Sequence, residues 1–203
     1  MIPEPATAPD PTTATVARAF RPGLLLAAVL LCVYGGLAVA VDFPRAAIGI
    51  QSDEATYYMM GHSLAEDGDL TYRRGDLVRV WEEFSSGPTG VFLKKGSDIL
   101  DWGLMLRPPF FWTRTQDDPD QSRLFYGKSF VYPLVAAPFV KLFGTNGFLV
   151  LHALLLALVV WCAFLFLHAR MSAGIAALLA GAFVIATVVP VYFVWITPEL
   201  FNF

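Results

Sequence analysis

QSDEATYYMMGHSLAEDGDL, residues 51–70, is the stretch whose reading decides this chain. Ser52 is suited to cap a helix, Asp53 and Glu54 fall in the first turn, and Gly68 with Asp69 supplies a stop. Residues three or four apart share a helix face, so Asp53, Tyr57, Met60 and Leu64 form one stripe and Glu54, Tyr58 and His62 the next. The stretch follows closely on a long apolar segment, so the acidic pair sits where a chain leaving a bilayer meets water, and a short interfacial helix is predicted. Two readings of the pair stand. Carboxylates at a helix N-terminus offset the positive end of the macrodipole by about 0.3–1 kcal/mol each and need no chemistry. A carboxylate at a low-dielectric surface also holds its proton more tightly, which suits a general base acting on a hydroxyl.

The composition supports the membrane setting. Of 203 residues, 56% are hydrophobic and only 15% charged, against about 25% charged in soluble domains. A net charge of -3, with no basic stripe interleaved with aromatics, excludes a nucleic-acid partner. Cys32 and Cys162 both lie in apolar segments and the polar middle has none, which excludes a disulfide framework and a cysteine zinc site.

Residues 1–21, rich in Pro, Ala and Thr at their start, read as a disordered cytoplasmic tail. Arg18 and Arg21 precede the apolar run Gly23 to Val41, long enough to cross about 30 Å of hydrocarbon, and flanking Arg assigns that side to the cytoplasm. Residues 22–42 are therefore predicted as a first transmembrane helix. A signal peptide cut after Ala38, Val39 and Ala40 competes, but such apolar cores usually run about 7–15 residues. Residues 43–145 form an external loop: from Asp42 to Lys128 acidic residues outnumber Lys and Arg 14 to 10.

Within it, helices are expected near 52–67 and 128–143, a short strand over Tyr72 to Val80, and a Gly-punctuated loop from Trp81 to Gly103 with the apolar patch Val91, Phe92 and Leu93. RPPFFW, residues 107–112, suits a headgroup belt or ordinary loop packing, and Thr115 to Ser122 reads as an acidic turn. FYGKSFVYPLVAAPFVKLFG, residues 125–144, is too short and too rich in proline for a span, so it predicts a second interfacial or re-entrant helix. Residues 146–168 and 172–196 then read as second and third spans joined by a short cytoplasmic connection carrying Arg170, and 197–203 as the start of a second external loop. His152, one turn inside the second span, marks either a functional path or an imidazole bonded to a neighbouring helix. The expected fold is an all-α membrane protein with three transmembrane helices, two interfacial juxtamembrane helices and a long external loop. The faces of the spans are apolar nearly all round, so the chain reads as the N-terminal part of a larger protein or as a subunit that needs a partner.

Three elements should converge outside the membrane: Asp53 with Glu54, the segment ending at Lys128, and Pro198-Glu199. Lys128 can hold a phosphate as a point charge and Arg123 can add a fork of donors. A base beside a phosphate clamp suggests transfer from a phosphate-activated lipid. No Gly-rich phosphate loop, H-E-x-x-H or G-x-S-x-G competes. Oxygen ligands from Asp53, Glu54 and Glu199 would suit a divalent cation, Mg or Mn.

The order of these elements, a first span, SDEATYYMMGHSLAEDGDL, a polar loop, FYGKSFVYPLVAAPFVKLFG and a hairpin of spans, resembles the start of the GT-C fold glycosyltransferases. It is similar in particular to the protein O-mannosyltransferase and lipid A 4-amino-arabinose transferase group. The resemblance implies an inverting glycosyltransferase of the plasma (inner) membrane, multi-pass, with its active face extracytoplasmic, taking sugar from a polyprenyl-phosphate donor to a glycan, lipid or protein acceptor. In that group a DE pair opens the first external helix, so Asp53 is implied as catalytic base with Glu54 beside it. A lysine opening the second such helix contacts the donor phosphate, a place Lys128 occupies, with Arg123 in support. Glu199 and Tyr57 would orient acceptor or metal. Two departures stand out: the loop from Thr71 to Ser122 is longer than the resemblance leads one to expect, and the remaining spans and C-terminal domain are absent. A rival of another class is a non-enzymatic membrane scaffold or subunit that binds a partner through its external loop.

Overall fold

The structure, a computed structural model, describes residues 11–47, 49–108, 111–117 and 123–203; the side chains of residues 11–18, 97–100, 102, 111, 113, 115 and 117 fall outside that description. The chain runs α1 (Pro11–Ala40), α2 (Phe43–Ala46), β1 (Ile50–Gln51), α3 (Ser52–His62) prolonged by a π-helical turn (Ser63–Asp67), β2 (Thr71–Tyr72) and α4 (Arg74–Glu83). It continues through β3 (Pro88–Thr89), β4 (Leu93–Lys95), β5 (Ser97–Leu104), β6 (Phe111–Asp117) and β7 (Leu124–Tyr126) to α5 (Val131–Phe143), α6 (Asn146–His168), α7 (Ala173–Ile185), α8 (Val189–Val194) and α9 (Glu199–Asn202). The chain is mostly helical, but the expectation of an all-α protein is corrected: the described residues include seven strands. Two compact units emerge, one made of α1 with Leu149–Val194 and Glu199–Phe203, the other of Val41–Phe148 with Trp195–Pro198.

In the first unit, two helices are long and apolar enough to cross a membrane: Ala19–Ala40 within α1, and α6. α1 already starts at Pro11, so part of the tail expected over 1–21 is helical, and residues 1–10 lie outside the described ones. The third span expected over 172–196 is not one helix. α7 stops at Ile185 and α8 starts at Val189, because Pro190 has no N–H for the Ala186 carbonyl and its ring crowds that turn. Thr187 fills the gap: its hydroxyl donates to the Phe183 carbonyl and accepts the Val189 N–H.

The core of this unit joins Leu30, Leu156, Val160, Phe164, Ala176, Ala180 and Val184. Ala173, Ala176, Ala177 and Ala180 recur at helical spacing on α7, and small side chains let apolar helices approach closely. The ring of Phe164 lies where a Cβ on Gly23 would stand. His152 is fully buried and its Nδ1–H donates to the Phe193 carbonyl at 2.9 Å, the bonded arrangement weighed for it above.

In the second unit, α3 with its π-helical turn fills Ser52–Asp67 and stops on Gly68, whose φ of 71° suits glycine. α5 begins at Val131 rather than at 128. The two pack through Tyr58, Tyr132 and Phe148, and Gly61 leaves room for the Phe148 ring, which a Cβ would meet at 2.4 Å. Inside this core the buried His62 donates through Nε2–H to Thr145 Oγ1 at 3.0 Å, and that hydroxyl donates in turn to Glu83. Burial pushes the His62 pKa down to about 4, with the positive charge of Arg79 acting the same way and the negative charge of Glu66 against it.

Of the strand expected over Tyr72 to Val80, Tyr72 lies in β2, but the chain from Arg74 is α4. Arg73 N–H donates to the Asp76 carboxylate at 2.8 Å, which caps the helix, and Asp76, Val80 and Phe84 are all buried at four-residue spacing. The long stretch expected as an external loop is also no plain loop. β1 pairs in parallel with β3, β7 lies antiparallel between β2 and β4, and β5 with β6 forms a separate hairpin. The acidic turn expected over Thr115 to Ser122 is in part strand β6, with 118–122 outside the described residues; so are residues 109 and 110 of RPPFFW.

Candidate active site

The site is built on the entry to α3. Ser52, expected as a side-chain cap, makes no capping bond; its backbone instead adopts φ 54°, the left-handed region that a serine rarely enters. One hydrogen bond holds it there: Thr56 Oγ1, one turn on, donates to the Ser52 carbonyl at 2.9 Å. Gly90, itself at φ 70°, lies beside the Ser52 backbone, where a Cβ would make an ordinary 3.6 Å contact. Thr56 Oγ1 also accepts the Phe92 N–H at 3.0 Å, and the Phe92 carbonyl accepts the Gly127 N–H at 2.8 Å. Three segments far apart in sequence are thereby stitched together: the start of α3, the loop before β4, and the segment after β7.

The stitching sets one charged pair. Lys128 Nζ stands 2.7 Å from Asp53 Oδ1, with both side chains partly exposed, and 4.2 Å from the centroid of the Phe92 ring. An ammonium over an aromatic face is attracted by the ring quadrupole, so Phe92 and Asp53 hold the same cation from two directions. The result is a carboxylate and a cation side by side at a solvent-reachable spot, able to accept a proton and to bind an anion.

The other expected site residues take other partners. Glu54 turns its carboxylate to the Ile196 N–H at 3.3 Å; burial raises its pKa and this hydrogen bond opposes the rise. Tyr57 is buried and meets Tyr132 edge-on at 5.6 Å. Arg123 is exposed, with its guanidinium 5.7 Å from the Phe125 ring. Glu199 opens α9 in the first unit, where one of its carboxylate oxygens, Oε2, is buried without a hydrogen bond. The expected cation does not fit this donor set. Among the described residues no three His, Cys, Asp or Glu side chains cluster, and the Asp53 carboxylate already faces an ammonium.

Phe92 and Thr56 were not singled out as site residues. Thr56, four residues after Ser52, carries the one readable signal, since a threonine at that spacing can bond back to the preceding turn. Phe92 looked like one of three residues in an apolar patch, and its role depends on contacts with Thr56 and Lys128 that local pattern does not encode. Comparison of the chain with protein-family models, with curated proteins and with solved structures finds no match.

Proposed function

We propose that this chain is the glycosyl-transferring part of a multi-pass membrane enzyme of the plasma (inner) membrane. Its donor is a polyprenyl-phosphate sugar and its acceptor a hydroxyl on a glycan, lipid or protein at the extracytoplasmic face. The observation that carries the reading is the 2.7 Å contact between Asp53 and Lys128, two residues singled out for opposite halves of one reaction. A donor phosphate competes with Asp53 for the Lys128 ammonium and leaves the carboxylate free to accept a proton. The acceptor O–H proton then passes to Asp53 and the acceptor oxygen bonds the anomeric carbon from the face opposite the phosphate. The carbon–oxygen bond to phosphate breaks with its electron pair, and Lys128 holds the departing lipid phosphate. Configuration inverts in this single displacement. Glu54 contributes from the neighbouring helix face by fixing the Ile196 backbone, and Arg123, five residues before Lys128 in the chain, is the second cation proposed to donate to the phosphate.

The test uses the full-length protein in membranes supplied with polyprenyl-phosphate sugars, with release of polyprenyl phosphate as readout. Asp53→Asn should lower turnover by about 10²–10⁴-fold, the usual range for loss of a general base, with the protein still folded. Lys128→Ala should raise the KM for donor. Normal turnover in Asp53→Asn ends the assignment, and tolerance of both changes points to the scaffold reading.

A further inference from the structure

We infer that the β5–β6 hairpin enters a lipid bilayer tip-first and is a membrane contact separate from the helices. It forms a two-stranded sheet of its own, and a lone hairpin is marginally stable in water. Its charged residues and its exposed apolar end are separated along its length. At one end Ser97 stands opposite Asp117 and Asp98 opposite Gln116; Ile99 opposite Thr115, Asp101 opposite Arg114 and Trp102 opposite Thr113 follow; at the other end, whose paired residues carry no charge, Gly103 faces Trp112 and Leu104 faces Phe111. The residues at that far end are open to solvent: Leu104 is 77% exposed, Met105 42% and Leu106 fully, and Trp112 is 40% exposed.

An apolar group of this kind marks a contact surface, and the lengthwise gradient selects the occupant. A protein groove that adds a strand reads alternate side chains on one face. A bilayer interface instead takes an element whose end is apolar and whose base is polar. At about 3.3 Å per residue, the six steps from Leu104 back to Asp98 keep the acidic base about 20 Å from the apolar end, outside the headgroups when the tip lies about 5–10 Å deep. Trp112 lies across the bare Cα of Gly103, where a Cβ would stand 2.6 Å from the indole nitrogen, and indole rings favour the headgroup level. Arg107, exposed and next to Leu106, brings a positive charge to lipid phosphates. The same chain carries two helices long and apolar enough to cross a membrane, so a bilayer is the partner present at high effective concentration.

The test takes the full chain with Cys32→Ala and Cys162→Ala, placed in nanodiscs of phosphatidylcholine and phosphatidylglycerol. Leu106→Cys carries an environment-sensitive fluorophore, and Gln116→Cys, at the polar end, serves as the reference. Because Leu106 touches nothing in the fold, the substitution leaves folding intact. The expected result is a blue-shifted emission at position 106 that is quenched by nitroxides high on the lipid chains and not by aqueous iodide, with the reverse at position 116. Quenching of position 106 by iodide alone overturns the inference. Protection from both quenchers overturns it too, and identifies a protein contact, such as a second copy of this chain.

Discussion

Ser52 holds a left-handed backbone immediately before Asp53, the carboxylate that faces Lys128. A left-handed backbone costs an ordinary residue about 1–2 kcal/mol, and glycine escapes that cost while adding freedom to the unfolded chain. Ser52→Gly should therefore raise stability by about 0.5–1 kcal/mol, read as a higher unfolding midpoint in detergent, and Ser52→Val should lower it. If the strain serves to aim Asp53, the glycine variant gains stability and loses alignment together, the trade expected where backbone strain sits beside a reactive group. Asp53 and Lys128 were legible as single residues because each has a chemical type and a place near a helix start. The arrangement that joins them was not, since the bonds from Thr56 to Phe92 and from Gly127 to Phe92 close long loops that local pattern does not specify.

Among the elements, the corner between α5 and α6 is the least forgiving. A Cβ on Gly147 would stand 2.3 Å from the Phe139 carbonyl, which is backbone and cannot swing aside. Gly147→Ala should cost about 1–3 kcal/mol as overpacking, whereas Gly75→Ala, on the exposed side of α4 with nothing nearby, should gain about 0.5–1 kcal/mol from helix propensity. Urea unfolding of the two variants side by side checks both signs. The same contrast explains what could be read in advance. α3 was legible because Gly68 ends it, and the first and second apolar segments because length and composition suffice. α4 was missed because Leu77, Val78 and Val80 suggest a strand, while its true period lies in Asp76, Val80 and Phe84. The interruption of the third apolar segment was readable at Pro190, which uniform hydropathy hides. β1, β2 and β3 are two residues long and exist only through distant partners, so no local periodicity could announce them.

For the whole molecule, acid is the relevant stress. His62 is held at about 4 in the folded state against an ordinary 6.5, so the unfolded chain binds a proton that the folded chain refuses. Stability from this group is complete above pH 6.5 and falls as pH drops from 6.5 towards 4, by up to about 3 kcal/mol. Thermal midpoints measured across that window should slope downward with acid, and His62→Gln should flatten the slope. Asp53 and Lys128 have a different consequence. At 2.7 Å their opposite charges cancel, so the potential they project fades as a dipole's does, well within the roughly 8 Å screening length of physiological salt. A dissolved anion feels no pull from afar towards such a spot. The proposed lipid-borne donor would need none, because lateral diffusion in two dimensions would deliver it, and capture would then be governed by how crowded the leaflet is with donor.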